Sequence, residues 1–162
     1  MRGLAAKHRA ETDLANIAHW ISGHPGCRRI ASFAALPGEP HLLPLLANFI
    51  DRDWYFPTVR GDELSFQRVV RETELQPGAF GILEPMPECP VSNIHDIDLF
   101  LCPGMAFTSD GRRLGRGKGF YDRALAMASP RSIRLGIAFP WQIVPDVFAE
   151  SHDIAMHEVI LV

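Results

Sequence analysis

The sequence predicts an α/β fold: a three-layer domain with a mostly parallel sheet flanked by helices. Three observations carry this expectation. Apolar runs of strand length recur along the chain, stretches with apolar residues three and four apart lie between several of them, and Pro and Gly clusters sit where strands must give way to loops. With 162 residues, 47% of them hydrophobic and 22% charged, residues 1–162 fit one domain around one core.

Leu14, Ile17, Ala18 and Ile21 recur at helical spacing and predict an amphipathic helix over residues 5–21, ended by Gly23, Pro25 and Gly26. Arg29 to Ala35 reads as a buried strand, and Leu36-Pro37-Gly38-Glu39-Pro40 as the loop at its carboxyl end. A second helix is expected over residues 41–50, with Leu42, Leu45, Leu46 and Phe49 inward, followed by a strand from Trp54 to Val59. Leu64 to Val70 alternates imperfectly, as a half-buried strand near a sheet edge would. Residues 77–90 hold four prolines and two glycines and predict a loop wrapping the surface. Ile97 to Cys102 is a strand, residues 103–119 a long loop and Phe120 to Met127 a helix; Arg134 to Phe139 and Glu158 to Val162 are two more strands.

Composition excludes several classes of function. A formal net charge of −3 gives no general electrostatic grip on nucleic acid, so a small molecule is the expected partner. Cys27, Cys89 and Cys102 form no CxxC pair and no disulfide framework, which suits a reducing cytosol. The apolar runs fall short of the roughly 20 residues a membrane helix needs, and Met1-Arg2-Gly3-Leu4 starts no secretory signal. Seven histidines without HxH or HExxH spacing argue against zinc, and Ser109 and Ser129 lack a nucleophile elbow.

The densest chemical signal is Arg112-Arg113-Leu114-Gly115-Arg116-Gly117-Lys118-Gly119-Phe120-Tyr121-Asp122. Alternate glycines permit positive φ and close backbone approach, N–H groups and a helix start offer donors, and Arg116 and Lys118 neutralise an anion. The loop is neither Walker A nor GxGxxG, so the residues alone describe a phosphate loop of no named class or a solvated basic turn. Asp122 lies in the first turn of the helix, where it either favours the helix dipole or holds Mg²⁺. Asp153 is one acid in Glu150-Ser151-His152-Asp153, and Glu39 a loop glutamate at a strand's carboxyl end.

Longer stretches carry a resemblance. Asp98-Leu99-Phe100-Leu101-Cys102-Pro103-Gly104-Met105-Ala106-Phe107 followed by Asp110-Gly111-Arg112 through Asp122-Arg123 resembles the signature of the 5-formyltetrahydrofolate cyclo-ligases, also called methenyltetrahydrofolate synthetases. Leu36-Pro37-Gly38-Glu39, Phe56-Pro57, Gly81-Ile82-Leu83-Glu84-Pro85 and Gly136-Ile137-Ala138-Phe139 follow the same family in order. The resemblance implies ATP- and Mg²⁺-dependent closure of 5-formyltetrahydrofolate to 5,10-methenyltetrahydrofolate, with release of ADP and phosphate; a monomer is expected. It implies that Arg113, Leu114, Gly115, Arg116, Gly117, Lys118, Gly119, Phe120 and Tyr121 bind ATP, with Arg116, Lys118 and Tyr121 as catalytic candidates. It further implies that Ala34, Glu39 and residues Arg116, Gly117, Lys118, Gly119 and Phe120 contact the folate, and that Asp122 and Asp153 hold Mg²⁺.

Family members usually begin with a basic helix of the pattern Lys-x-x-Leu-Arg, which Arg2, Lys7 and Arg9 do not reproduce, so that segment is expected to be missing here. Phe120 stands for a common tyrosine and Thr58 for a common arginine. The alternative is a folate- or nucleotide-binding relative without turnover. A phosphosugar or CoA-ester enzyme would need an acid-base pair that the sequence does not reveal.

Overall fold

The computed structural model describes residues 11–162. The part of the expected first helix before residue 11, with Arg2, Lys7 and Arg9, lies outside the described residues. Helix α1 spans Ala15–Ser22. It starts later than its periodicity suggests because the Asp13 carboxylate takes the Ala15 N–H at 2.9 Å and the Thr12 hydroxyl takes the His41 N–H at 2.9 Å. Both bonds hold residues 12–14 out of the helix.

Strand β1 (Arg29–Ala31) is followed by α2 (Leu45–Asn48), β2 (Asp53–Arg60) and β3 (Glu63–Arg68). The helix expected over residues 41–50 is a single turn, since Pro44 stands at its N-cap and disfavours helical φ/ψ in the residue before it. Leu42, Leu45 and Leu46 are buried nonetheless. Next come β4 (Leu75–Pro77), β5 (Leu83–Pro85), β6 (Val91–Ser92), β7 (Leu99–Cys102), β8 (Ala106–Phe107) and β9 (Arg113–Leu114). Helix α3 (Phe120–Ala126), β10 (Ile133–Ala138) and β11 (Glu158–Leu161) complete the order.

One seven-stranded sheet runs β11-β10-β7-β1-β2-β3-β6. Its first five strands are parallel; β3 and β6 are antiparallel to their neighbours. Period-two alternation sorts the strand side chains between two layers. Ile30, Trp54, Leu99, Leu101, Leu135 and Ile137 face Ile17 and Ile21 of α1 and the leucines of α2. Ala31, Tyr55, Phe66, Phe100, Cys102 and Ala138 face Ala124 and Leu125 of α3. The sheet therefore carries helices on both faces, a three-layer α/β arrangement. No helix among the described residues is long and apolar enough to cross a membrane.

Two expected loops contain small hairpins. In residues 77–90, β4 pairs with β5, which two strands tolerate despite Pro77 and Pro85 because neither proline is needed in a central ladder. The buried Gln67 amide donates to Cys89 O at 2.9 Å and to Met86 O at 3.3 Å, tying this segment to β3. In residues 103–119, β8 pairs with β9, so the glycine-rich segment leaves a strand end rather than an open loop.

Candidate active site

The segment from β9 into α3 turns on two glycines with positive φ, Gly117 at 88° and Gly119 at 69°. These values explain the alternation of glycine with charge: the chain needs left-handed residues between its cations. Lys118 Nζ lies 5.5 Å from the centroid of the Phe80 ring, and that ring lies 6.2 Å from the ring of Phe120. Arg116, half exposed, brings Nη2 to 3.7 Å from Glu39 Oε1.

Arg113 is held differently, with its side chain only 6% exposed. Its Nη1 donates to Pro103 O at 3.0 Å, Nη2 stands 3.9 Å from Asp122 Oδ2, and the guanidinium lies 5.4 Å over the Tyr121 ring. Arg113 Nε is buried with no acceptor among the described residues. A buried unpaired donor is costly, so an acceptor brought by a ligand suits this position.

Burial pushes the Glu39 carboxyl above its ordinary range, opposed by the Leu36 N–H and by Arg116 and Arg113. Burial also pushes the Tyr121 phenol well up, with Cys102 and Glu39 adding to it against Arg113. At neutral pH Tyr121 is a hydrogen-bond donor. Asp122 Oδ1 accepts the Ile154 N–H at 3.0 Å, which pins the segment carrying Asp153 to the first turn of α3. Asp153 Oδ2 accepts the Glu150 N–H at 2.7 Å, and its Oδ1 lies 3.5 Å from His152 Nε2.

These elements surround a cavity of about 680 Å³, and every residue that the resemblance assigns to the site borders it: Ala34, Glu39, the run from Arg113 to Asp122, and Asp153. Ala34 and Glu39 arrive from the loop after β1, the run from the β9–α3 connection, and Asp153 from the connection to β11. Sequence reasoning missed the roles of Phe80, Ile82 and Glu84 from the β4–β5 hairpin and of Phe148 and His152, all of which also border it. Phe80 and Phe148 are both exposed and have positive φ, 58° and 52°. An exposed aromatic in a proline-rich stretch was the available signal for the first.

Among the described residues no group of three or more His, Cys, Asp or Glu could hold a metal ion by itself. Asp122 and Asp153 offer hard carboxylate oxygens beside one peptide, which fits an ion such as Mg²⁺ that takes one or two carboxylates and completes its shell with phosphate oxygens and water.

The sequence model described as the 5-formyltetrahydrofolate cyclo-ligase family matches residues 4–162. The chain belongs to that family. The 5-formyltetrahydrofolate cyclo-ligase of Mycolicibacterium smegmatis is 29% identical over 150 residues, covering 87% of this chain and 77% of that protein. The cyclo-ligase of Haemophilus influenzae is 27% identical over 164 residues, covering 96% and 87%. The NMR structure of Aquifex aeolicus 5,10-methenyltetrahydrofolate synthetase superposes with a TM-score of 0.76 at 31% identity, over 90% of this chain and 76% of that one. The three-layer arrangement is thus the cyclo-ligase fold.

Proposed function

We propose that this cyclo-ligase family member is a single-domain, monomeric, cytosolic enzyme that converts 5-formyltetrahydrofolate, with ATP, to 5,10-methenyltetrahydrofolate, ADP and phosphate. The observation that carries the reading is the convergence of the candidate site residues, Ala34 and Glu39 from the loop after β1, the run from Arg113 to Asp122, and Asp153 from the connection before β11, on one cavity. Its volume, about 680 Å³, lies in the range of small-molecule sites. All three cysteines are free and buried, in keeping with a reducing compartment.

The formyl oxygen attacks the γ-phosphorus and ADP leaves. N10 of the folate then attacks the activated carbon, the N10 proton is lost, and phosphate departs with the former formyl oxygen. No protein nucleophile is required, so the site's work is positioning and charge neutralisation. Arg116 and Lys118 offset the charge of the transferred phosphoryl group. The backbone around Gly117 and Gly119 lets phosphate oxygens approach N–H donors, and the neutral Tyr121 hydroxyl is a further donor. Arg113 orients Asp122 and Tyr121 while offering Nε to an acceptor. Asp122 and Asp153 would hold Mg²⁺, which neutralises phosphate charge when bound. Glu39, beside Ala34, receives the folate and keeps Arg116 turned toward it.

The test is the absorbance of methenyltetrahydrofolate when purified protein meets 5-formyltetrahydrofolate with and without MgATP. An ATP-dependent rise is expected. Folate binding by calorimetry with no rise would assign a binding relative without turnover, and absence of both would overturn the folate reading.

A further inference from the structure

Glu84 has surroundings that the proposed reaction leaves unexplained. In β2 the odd-numbered residues hydrogen-bond toward β1: Asp53 N–H donates to Arg28 O and Tyr55 O accepts from Ser32 N–H, each at 2.8 Å. The β1–β2 ladder ends at Ala31 and Tyr55, so Pro57 and Val59 present their backbone to an opening between the strands. Pro57 has no N–H to satisfy. Val59 has one, and it donates to Glu84 Oε1 at 3.1 Å.

The other side of the same carboxylate rests on Gly78. A Cβ at Gly78 would fall 2.4 Å from Glu84 Cδ and 2.5 Å from Cγ and Oε2, so no other residue lets Glu84 lie where it does. The side chain is fixed from two sides, yet among the described residues Oε2 accepts no hydrogen bond and no cation comes within ion-pair distance. The cavity it borders is also lined by Val59, Leu64 and Ile82. Glu39, by contrast, already holds the Leu36 N–H and faces Arg116.

A preorganised carboxylate that borders the cavity with one oxygen unpartnered is placed to accept two adjacent N–H donors from a ligand. We infer that Glu84 reads the donor edge of the pterin ring, N3–H with the 2-amino group, and so fixes which heterocycle occupies this end of the cavity. The assignment rests on the proposed folate reading. Adenine offers one amino group flanked by ring-nitrogen acceptors, which a carboxylate repels, so the base of ATP is turned away from Glu84.

The experiment is calorimetry of 5-formyltetrahydrofolate and of ATP with the wild-type protein, Glu84→Gln and Glu84→Ala, repeated with the 2-deamino analogue of 5-formyltetrahydrofolate. Glu84→Gln keeps an oxygen for Val59 N–H and the volume against Gly78, so a merely structural Glu84 tolerates it. Recognition does not, because the amide sets N–H against N–H. Folate affinity is expected to fall about tenfold in both variants, the scale of a charge-assisted hydrogen bond, with ATP affinity unchanged. The analogue should lose affinity for the wild-type protein and lose no more in Glu84→Ala. This arm with wild-type protein stands even where a variant fails to fold. Equal folate binding by Glu84→Gln and wild type, or wild-type affinity for the analogue, would overturn the assignment alone. No folate binding by the wild-type protein would remove the folate reading and this assignment together.

Discussion

Replacing Gly111 with alanine separates two costs that glycine avoids. Gly111 has φ +97°, and a Cβ there would lie 2.3 Å from Met156 O and 3.2 Å from Met156 C. The left-handed conformation costs alanine about 1–2 kcal/mol. The overlap is with backbone, so no rotamer relieves it. Relief means spreading the two segments and weakening the Met156 N–H bond to Gly111 O, 2.7 Å long, which adds roughly 0.5–1.5 kcal/mol. The expected loss is then about 2–3 kcal/mol, or some 4–12 °C in Tm for a chain of this size. Gly117 is the control: its φ is +88° and a Cβ would meet nothing within 4 Å. Gly117→Ala should lose only the conformational part, about 1–2 kcal/mol. Urea unfolding of both variants measures the difference. A Gly111→Ala protein no less stable than Gly117→Ala would refute the crowding between the β8–β9 turn and the Met156 backbone.

Arg116→Ala and Lys118→Ala should each raise KM for ATP about tenfold or more by removing a cation from a phosphate, with circular dichroism and Tm unchanged since both residues are exposed. Initial rates over an ATP series provide the check. Glu39 gives a pH signature. Burial raises its carboxyl in the folded protein, so the unfolded chain ionises first as pH rises, and the folded state holds the extra proton between the two ranges. Its contribution to stability is full below the ordinary carboxylate range and is lost as pH rises through the raised one. Glu39→Gln should therefore gain stability relative to wild type from acid toward neutral pH while folate affinity falls; parallel urea midpoints across about pH 4–8 would contradict it. Burial lifts the Cys102 thiol to about 12, and Cys27 and Cys89 are buried as well. Thiol reagents should find no reactive cysteine in the native protein and all three after denaturation.

The legible parts of the fold were those whose local pattern agrees with their tertiary setting. Leu99-Phe100-Leu101-Cys102 and Leu135-Gly136-Ile137-Ala138 are apolar on both sides because helices cover both faces of the sheet, and continuous runs of that kind read directly as buried strands. Phe33-Ala34-Ala35 looks like the same pattern but lies beyond the ladder, whose last bond is Ser32 N–H to Tyr55 O; Phe33 and Ala34 border the cavity instead. Pro44 could have shortened the second helix on paper. The β4–β5 and β8–β9 pairs could not be read, being too short for any periodicity. The glycine-rich run was visible because its glycines and cations are contiguous. Glu84 was not: it matters only through Val59 and Gly78, neighbours that folding supplies and sequence order hides.

The bond from Ile154 N–H to Asp122 has a temporal meaning. The cavity draws on the loop after β1 and on the connection into β11, segments near opposite ends of the described chain, and loop-closure entropy makes such distant contacts late events in folding. Synthesis runs in one direction, so the ribosome will have released nearly every residue of the sheet before a peptide from the final connection reaches α3. Until then the cations of the glycine-rich run face water with no wall opposite them, and an emerging chain has the outline of the domain without a place to bind.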